Sequence, residues 1–296
     1  MIKLPPRYTH RPATTDDIPA VTALADARER HFHGLPHADP GDVAATFARP
    51  ALDPATRTLL VHGPDGDLAA WAWAERRGEI HVHPAHTGHG LGTALLDWAE
   101  GLTAPGRFVQ SVTDADTAAV EILTARGYTR LATAWLLEIG LDGGVDVPEV
   151  PGGVTVRPFA DGDGPGAHTL MEDAFAAFQP RRKDYAEWAE GTVARETFAP
   201  WASPIAFENG EPVGAVVSLD VPGSGEGYIE RVAVREDRRG RGIARLLLRH
   251  AFAAFAARGL SACTLWTHSE TGALALYERV GMRVRRSATV HARDLA

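Results

Sequence analysis

Three short patterns occur twice in this chain, in the same order and at a separation of roughly 150 residues, which is the signature of a duplicated folding unit. Arg11-Pro12 returns as Arg157-Pro158, and Gly88-His89-Gly90-Leu91-Gly92 as Gly240-Arg241-Gly242-Ile243-Ala244. The segment Ala119–Gly127 returns as Ala273–Gly281. A duplication requires each copy to close its own core, so the chain is expected to hold two domains in tandem. The Gly- and Pro-rich stretch Leu141–Gly153 breaks both helical and strand patterns and separates the copies. The expected division is residues 1–142, a linker at 143–152, and residues 153–296. Each half is then about 145 residues, an ordinary domain size.

Composition sets which partners are open to such a chain. With 45% hydrophobic and 23% charged residues it can bury two cores, and a disordered or fibrous state is excluded. A net charge of −8 opposes binding to nucleic acid. Cys263 is the single cysteine, so no intrachain disulfide forms. No apolar run is long enough to span a membrane, and Met1–Arg11 lacks an apolar signal core. The expected location is the cytoplasm; the subunit number is left open.

Each half reads as strands alternating with helices, an α/β layered fold. In the second half, strands are expected at Val154–Arg157, Pro204–Phe207, Val213–Leu219, Tyr228–Val234 and Ala262–Thr267, with helices at His168–Phe178, Tyr185–Phe198, Ile243–Arg258 and Thr271–Arg279. The first half follows the same order. Its strands are Arg57–His62, Leu68–Glu75, Glu79–His83 and Phe108–Thr113, and its helices Leu91–Leu102 and Thr117–Arg126.

The segment with most chemical content is Val232–Leu248: a strand, a basic turn, then Arg239-Gly240-Arg241-Gly242-Ile243-Ala244 leading into a helix. Glycines permit positive φ and close approach of a ligand to the backbone. The first amides of a helix have no internal partner and favour an anion, so a pyrophosphate is the expected guest. Arg238, Arg239 and Arg241 add positive charge. The Gly-Lys-Ser/Thr ending of a nucleoside-triphosphate loop and the G-x-G-x-x-G dinucleotide pattern are both absent.

This loop resembles the Q/R-x-x-G-x-G/A element of the GNAT acyltransferase superfamily. The preceding Val232-Ala233-Val234 and the later Ala273–Met282, similar to that family's A-x-x-x-Y-x-x-x-G-F/M element, extend the resemblance over the core of both halves. It implies two tandem GNAT-like domains, each a mixed, mostly antiparallel sheet flanked by helices. It further implies acetyl-CoA as cosubstrate and a V-shaped opening beyond the strand ending at Val234; no metal is expected, since the histidines read as surface and loop residues. Val232, Ala233 and Val234 would contact the acetyl and pantetheine portions, and residues 239–244 the diphosphate.

Acetyl transfer needs a neutral amine, and an alkylammonium has a pKa of ~10, so a base or a lowered amine pKa is required. Tyr277 sits where the resemblance places the acid that protonates the departing thiolate. Glu230 shares strand parity with Val232 and Val234 and is the candidate base. In the first copy the repeat offset carries Tyr277 to Leu123, Glu230 to Gly78 and Arg239 to Thr87. That copy keeps Gly88, Gly90 and Gly92 but no catalytic side chain, so it is expected to be non-catalytic, as a CoA-binding or purely structural domain. The acceptor is expected to be a small-molecule amine. A non-catalytic acyl-CoA sensor or scaffold, and an N-acetyltransferase acting on peptides or proteins, are the competing readings.

Other features have plainer readings. His81, His83, His86 and His89, and the cluster His31, His33 and His37, read as surface and loop histidines rather than metal ligands. Trp188 and Trp201 read as packing residues, with an acceptor-lining role as the competitor. Glu270 stands where the family often has a CoA-contacting Asn. Arg28–Arg30 and Arg181–Lys183 read as solvated helix faces.

Overall fold

The computed structural model describes residues 2–34, 40–49, 52–103, 105–179, 181–220 and 223–296. His37 of the histidine cluster lies outside them. In chain order the elements are β1 (Thr9–Arg11), α1 (Ile18–His33), α2 (Pro40–Phe47), α3 (Pro54–Arg57), β2 (Thr58–His62), β3 (Leu68–Ala74), β4 (Arg77–Val82), α4 (Leu91–Leu102), β5 (Gly106–Thr113), α5 (Thr117–Ala125) and β6 (Thr129–Gly140). There follow β7 (Val154–Pro158), α6 (Gly164–Phe175), α7 (Tyr185–Glu190), β8 (Pro204–Glu208), β9 (Glu211–Asp220), β10 (Glu226–Val234), α8 (Ile243–Ala257), β11 (Ala262–His268), α9 (Leu274–Arg279) and β12 (Arg283–Leu295).

The chain forms two compact units: Met1–Ala134 with Arg286–Ala296, and Trp135–Arg285. The units therefore do not follow the halves of the sequence. The last strand of each half passes out of it: β12 from Arg286 onward belongs to the first unit and pairs with β5 from Ala288↔Thr113 to Leu295↔Gly106, and β6 from Trp135 onward belongs to the second, beside β11. Residues 143–152, expected as a linker from composition, fall inside the second unit. Backbone pairing decides the matter, because strand hydrogen bonds and not sequence proximity fix which core a strand joins.

In the first unit the strand order is β1-β2-β3-β4-β5-β12, and in the second β6-β11-β10-β9-β8-β7. The pairs β4–β5 and β10–β11 are parallel; β1–β2, β2–β3, β3–β4, β5–β12, β7–β8, β8–β9 and β9–β10 are antiparallel. Within each unit helices cover both faces of its strands. In the second unit α8 packs Leu247, Leu248, Phe252 and Phe255 on one face, with Ile229, Cys263 and Leu265. Leu170 and Met171 of α6 and Trp188 of α7 pack on the other, with Ala215, Val217 and Ala233. The continuous burial of β9, on both faces, is what two helical layers require.

The duplication is visible in detail at the start of each unit. Arg11 forks onto Asp17 through two bonds, of 2.7 and 2.5 Å, and Arg157 onto Asp163 through two of 2.6 and 2.7 Å. Each arginine also donates to the carbonyl of the proline that follows it, at 3.1 Å. The helix expected at Tyr185–Phe198 stops at Glu190 before Gly191, and Phe198 instead bridges to Leu219.

Candidate functional site

Gly240 and Gly242 hold φ of 76° and 81°, the left-handed region in which a Cβ is strained. A Cβ at either position would meet nothing within 4 Å, so glycine is required by backbone conformation and not by crowding. Gly242 caps α8, and no side chain caps the first amides of that helix. Ile243 is buried beneath it in the core and Ala244 packs at its edge. The three arginines are not equivalent. Arg238 is held by Glu208 at 2.5 Å and by Asp237 at 2.7 Å, which neutralises it locally. Arg239 folds back so that Nε donates to the Val234 carbonyl at 3.3 Å. Arg241 lies 3.6 Å from Glu208 with over half of its side chain exposed, leaving it the most available of the three at the helix start.

The parallel pairing of β10 and β11 runs only from Glu226↔Ala262 to Ile229↔Leu265. Beyond it Val232, Ala233 and Val234 pair with β9 alone, so their β11-facing edge opens into a gap. A bulge between Ile229 and Arg231 sits at the point of divergence. It overturns the parity argument for Glu230. Ile229, Val232 and Val234 all belong to the α8 side, whereas Ala233 packs on the α6 side and the Arg231 guanidinium lies 5.2 Å over the Phe175 ring of α6. The extra residue shifts the phase, and Glu230 turns to the α6–α7 side. There Arg195, in the segment after α7, reaches both its carboxylate oxygens at 3.2 Å. Tyr228, two residues before it, is largely buried; burial first, then the nearby Glu230 charge, push its phenol up.

Tyr277 approaches from the other side. It is 8% exposed, in the same cluster as Val234, Ile243 and Leu247. Burial pushes its hydroxyl up to about 12, so it remains protonated, and a donor, throughout the neutral range. The opening thus has the Glu230 carboxylate on its α6 side and, on its α8 side, the cluster of Val234, Ile243 and Leu247 to which Tyr277 belongs.

The same architecture recurs in the first unit with different side chains. Gly88 and Gly90 both have φ of 80°, and Gly90 caps α4. Gly92, inside α4, has Ile122 of α5 at 3.7 Å from the site of a Cβ. The parallel pairing of β4 and β5 is only Arg77↔Val109 and Gly78↔Gln110, and beyond it a cleft of about 220 Å³ opens. Gly88, Gly90, Gly92 and Leu123 line that cleft. A Cβ at Gly78, the counterpart of Glu230, would stand 2.6 Å from the Trp73 carbonyl and 3.1 Å from Gln110 Nε2, so this backbone admits no side chain there. The hydroxyl of Thr87, counterpart of Arg239, donates to the Pro84 carbonyl at 2.9 Å.

Several neighbours lie beyond what the sequence indicates. Arg28 is no solvated helix residue: it donates to the Val82 carbonyl at 3.0 Å and pairs with Asp116 at 3.1 Å. His86 bonds Asp67 at 2.7 Å and Tyr8 at 3.1 Å, while His81 lies 3.3 Å from Glu79. Among the described residues no three His, Cys, Asp or Glu groups converge as for a metal ion. Trp188 is 2% exposed in the α6 core, and Trp201 packs edge-on to Phe255 beneath the Arg258 guanidinium. Glu270 is an exposed carboxylate near His268. No signal in the sequence marks Arg195; Gln110, polar within Phe-Val-Gln-Ser-Val, is the one visible anomaly.

Residues 167–282 match the model of the acetyltransferase (GNAT) family. A mycothiol acetyltransferase from Thermobispora bispora is 30% identical over 287 residues, covering 90% of this chain and 93% of that protein. The crystal structure of a GCN5-related N-acetyltransferase from Sphaerobacter thermophilus superposes with a TM-score of 0.79 at 29% identity, over 99% of this chain and 97% of that one. A tandem GNAT protein from the clavulanic acid biosynthesis pathway shares the fold at 15% identity, with a TM-score of 0.65 over 98% and 99% of the two chains.

Proposed function

The chain belongs to the acetyltransferase (GNAT) family and is an acyltransferase, and we propose that its second unit transfers an acetyl group from acetyl-CoA to the primary amine of a small molecule. The observation that carries this reading is the opening between β10 and β11, with Glu230 on one face, Tyr277 on the other and the Gly240–Gly242 turn at the helix start. In this reading the α8 amides and Arg241 hold the diphosphate, and residues Arg239 to Ala244 with Val232 to Val234 form the cofactor wall. The acceptor arrives as an ammonium, and the Glu230 carboxylate takes its proton, directly or through water. The freed amine attacks the thioester carbonyl. As the C–S bond breaks, the Tyr277 hydroxyl delivers its proton to the leaving sulfur, and the resulting phenolate recovers one from the nitrogen of the collapsing adduct, so that the neutral amide is released. Arg195 competes with the acceptor's ammonium for Glu230, holding the carboxylate in place until the acceptor arrives.

The mycothiol acetyltransferases among its relatives support the amine acceptor of those enzymes as the first to assay. The first unit binds CoA through Gly88, Gly90 and Gly92 and does not turn it over, for want of a base at Gly78 and an acid at Leu123. The cytoplasm is the compartment this reading requires, and among the described residues no helix is long and apolar enough to cross a membrane. Thiol release from acetyl-CoA against a panel of amines tests the proposal. Turnover that Tyr277→Phe abolishes while CoA binding persists supports it. CoA binding without turnover on any amine refutes it in favour of a sensor.

A further inference from the structure

Gln110 projects from β5 in register with Gly78, at the last residue pair before β4 and β5 diverge. Its side chain is 2% exposed, lines the cleft of the first unit, and has a buried Nε2 without a hydrogen-bond partner. His291 of β12 stands directly opposite Gln110 in the antiparallel pair, and both its ring nitrogens are equally unpartnered, so it does not answer the amide. Buried polar groups in native proteins are nearly always paired, and the exceptions call for an explanation. The cleft provides one. Its walls are apolar, with Ile80, Val82, Leu91, Leu96, Val112 and Ile122. Its polar lining is the Gly88–Gly90 turn with the α4 amides, His86, Thr87 and Thr93, the ion-paired Arg28 and Asp116, and, where β4 and β5 diverge, the unpartnered Gln110 amide. A ligand matching that distribution is anionic at one end, apolar along its length and carries a carbonyl at the other.

The face across from α4 is closed. α1 packs on the opposite side of β3 from α4, with Val21 and Leu24 against Trp71 and Trp73 and with Leu91 and Leu95 against Ala70 and Ala72. From that side Arg28 reaches through to the Val82 carbonyl and to Asp116, and lines the cleft. Arg28 thus stands on the α1 side of the cleft, as Glu230 stands on the α6 side of the opening in the second unit.

We propose that Gln110 Nε2 donates a hydrogen bond to the acyl carbonyl of a CoA thioester in this cleft, so that the first unit retains acylated CoA in preference to unacylated CoA and does not transfer its acyl group. This rests on the reading that the first unit takes CoA. The test uses the full-length chain carrying Gly240→Val and Gly242→Val, which remove the second site. Calorimetry then compares acetyl-CoA with S-ethyl-CoA, which lacks the carbonyl. Acetyl-CoA is expected to bind about tenfold more tightly, the worth of one buried hydrogen bond. Gln110→Met, of similar volume, should erase that preference while leaving S-ethyl-CoA affinity unchanged. As a second readout, the infrared carbonyl band of bound 13C-acetyl-CoA should lie at lower frequency in the chain that keeps Gln110 than in its Gln110→Met derivative. A preference or a band position that Gln110→Met leaves unchanged overturns the role of Gln110. Absence of any CoA binding in the parent background overturns the underlying reading instead.

Discussion

Placing a carboxylate at position 78 of the first unit by Gly78→Glu should destabilise the protein without adding acetyl transfer there. A Cβ at position 78 stands 2.6 Å from the Trp73 carbonyl oxygen and 3.1 and 3.2 Å from Gln110 Nε2 and Phe108 Cζ. The closest of these atoms belongs to the backbone of β3 and cannot swing aside, and Phe108 is fully buried. Overpacking of this kind costs about 1–3 kcal/mol. In a unit of this size each kcal/mol lowers the melting temperature by about 2–4 °C, so a loss of about 4–8 °C is expected for a cost near 2 kcal/mol. Because the clash lies at Cβ, Gly78→Ala should show most of the same loss. Differential scanning calorimetry of the two variants decides the matter. If Ala is tolerated and Glu is not, the cost arises from the carboxylate, and the steric account of Gly78 fails. If Glu is tolerated there and thiol release survives in a Tyr277→Phe background, the assignment of catalysis to the second unit fails with it.

Other expectations are more direct. Tyr277→Phe should lower kcat by about 10²–10³-fold with little change in CoA affinity, read by steady-state thiol release and calorimetry. The hydroxyl of Tyr277 is pushed up to about 12, above its unfolded value, so its contribution to stability is complete below pH ~10 and is lost as pH rises through that window; Tyr277→Phe should flatten the alkaline fall in melting temperature. The carboxyls of Asp17 and Asp163 are lowered first by the hydrogen bonds from Arg11 and Arg157, so their stability is present at neutral pH and is lost as pH falls below the usual carboxylate range. Arg11→Gln and Arg157→Gln should each make urea unfolding less sensitive to acid. Burial raises the Cys263 thiol and hides it completely, so iodoacetamide should label it only in denaturant.

The repeat, the glycine turns and the helix bearing Tyr277 were legible because each depends on local chemistry: positive φ, uncapped amides, apolar residues at helical spacing. The face of Glu230 was not, because one extra residue at a bulge reverses alternation and nothing in Tyr-Ile-Glu-Arg-Val announces it. Nor were β6 and β12, for which the sequence pattern assigns no strand after Arg126 or Arg279. In β12 four arginines and an aspartate interrupt the apolar pattern, and Arg285, Arg286 and Arg293 answer Glu226, Glu29 and Glu100 from distant parts of the chain. The same holds for Arg238, which reads as a phosphate ligand until Glu208, thirty positions upstream, takes it.

The exchange of final strands fixes an order of assembly. The edge beside β5 is supplied by residues 288–295, which leave the ribosome after the whole of the second unit has been made. Until then the first unit exposes an unpaired strand to its surroundings, a template for wrong partners during synthesis. A nascent chain stalled near residue 280 should therefore need chaperone protection that the finished protein does not, and a gene cut between the two copies would yield two fragments that each lack a strand they cannot make.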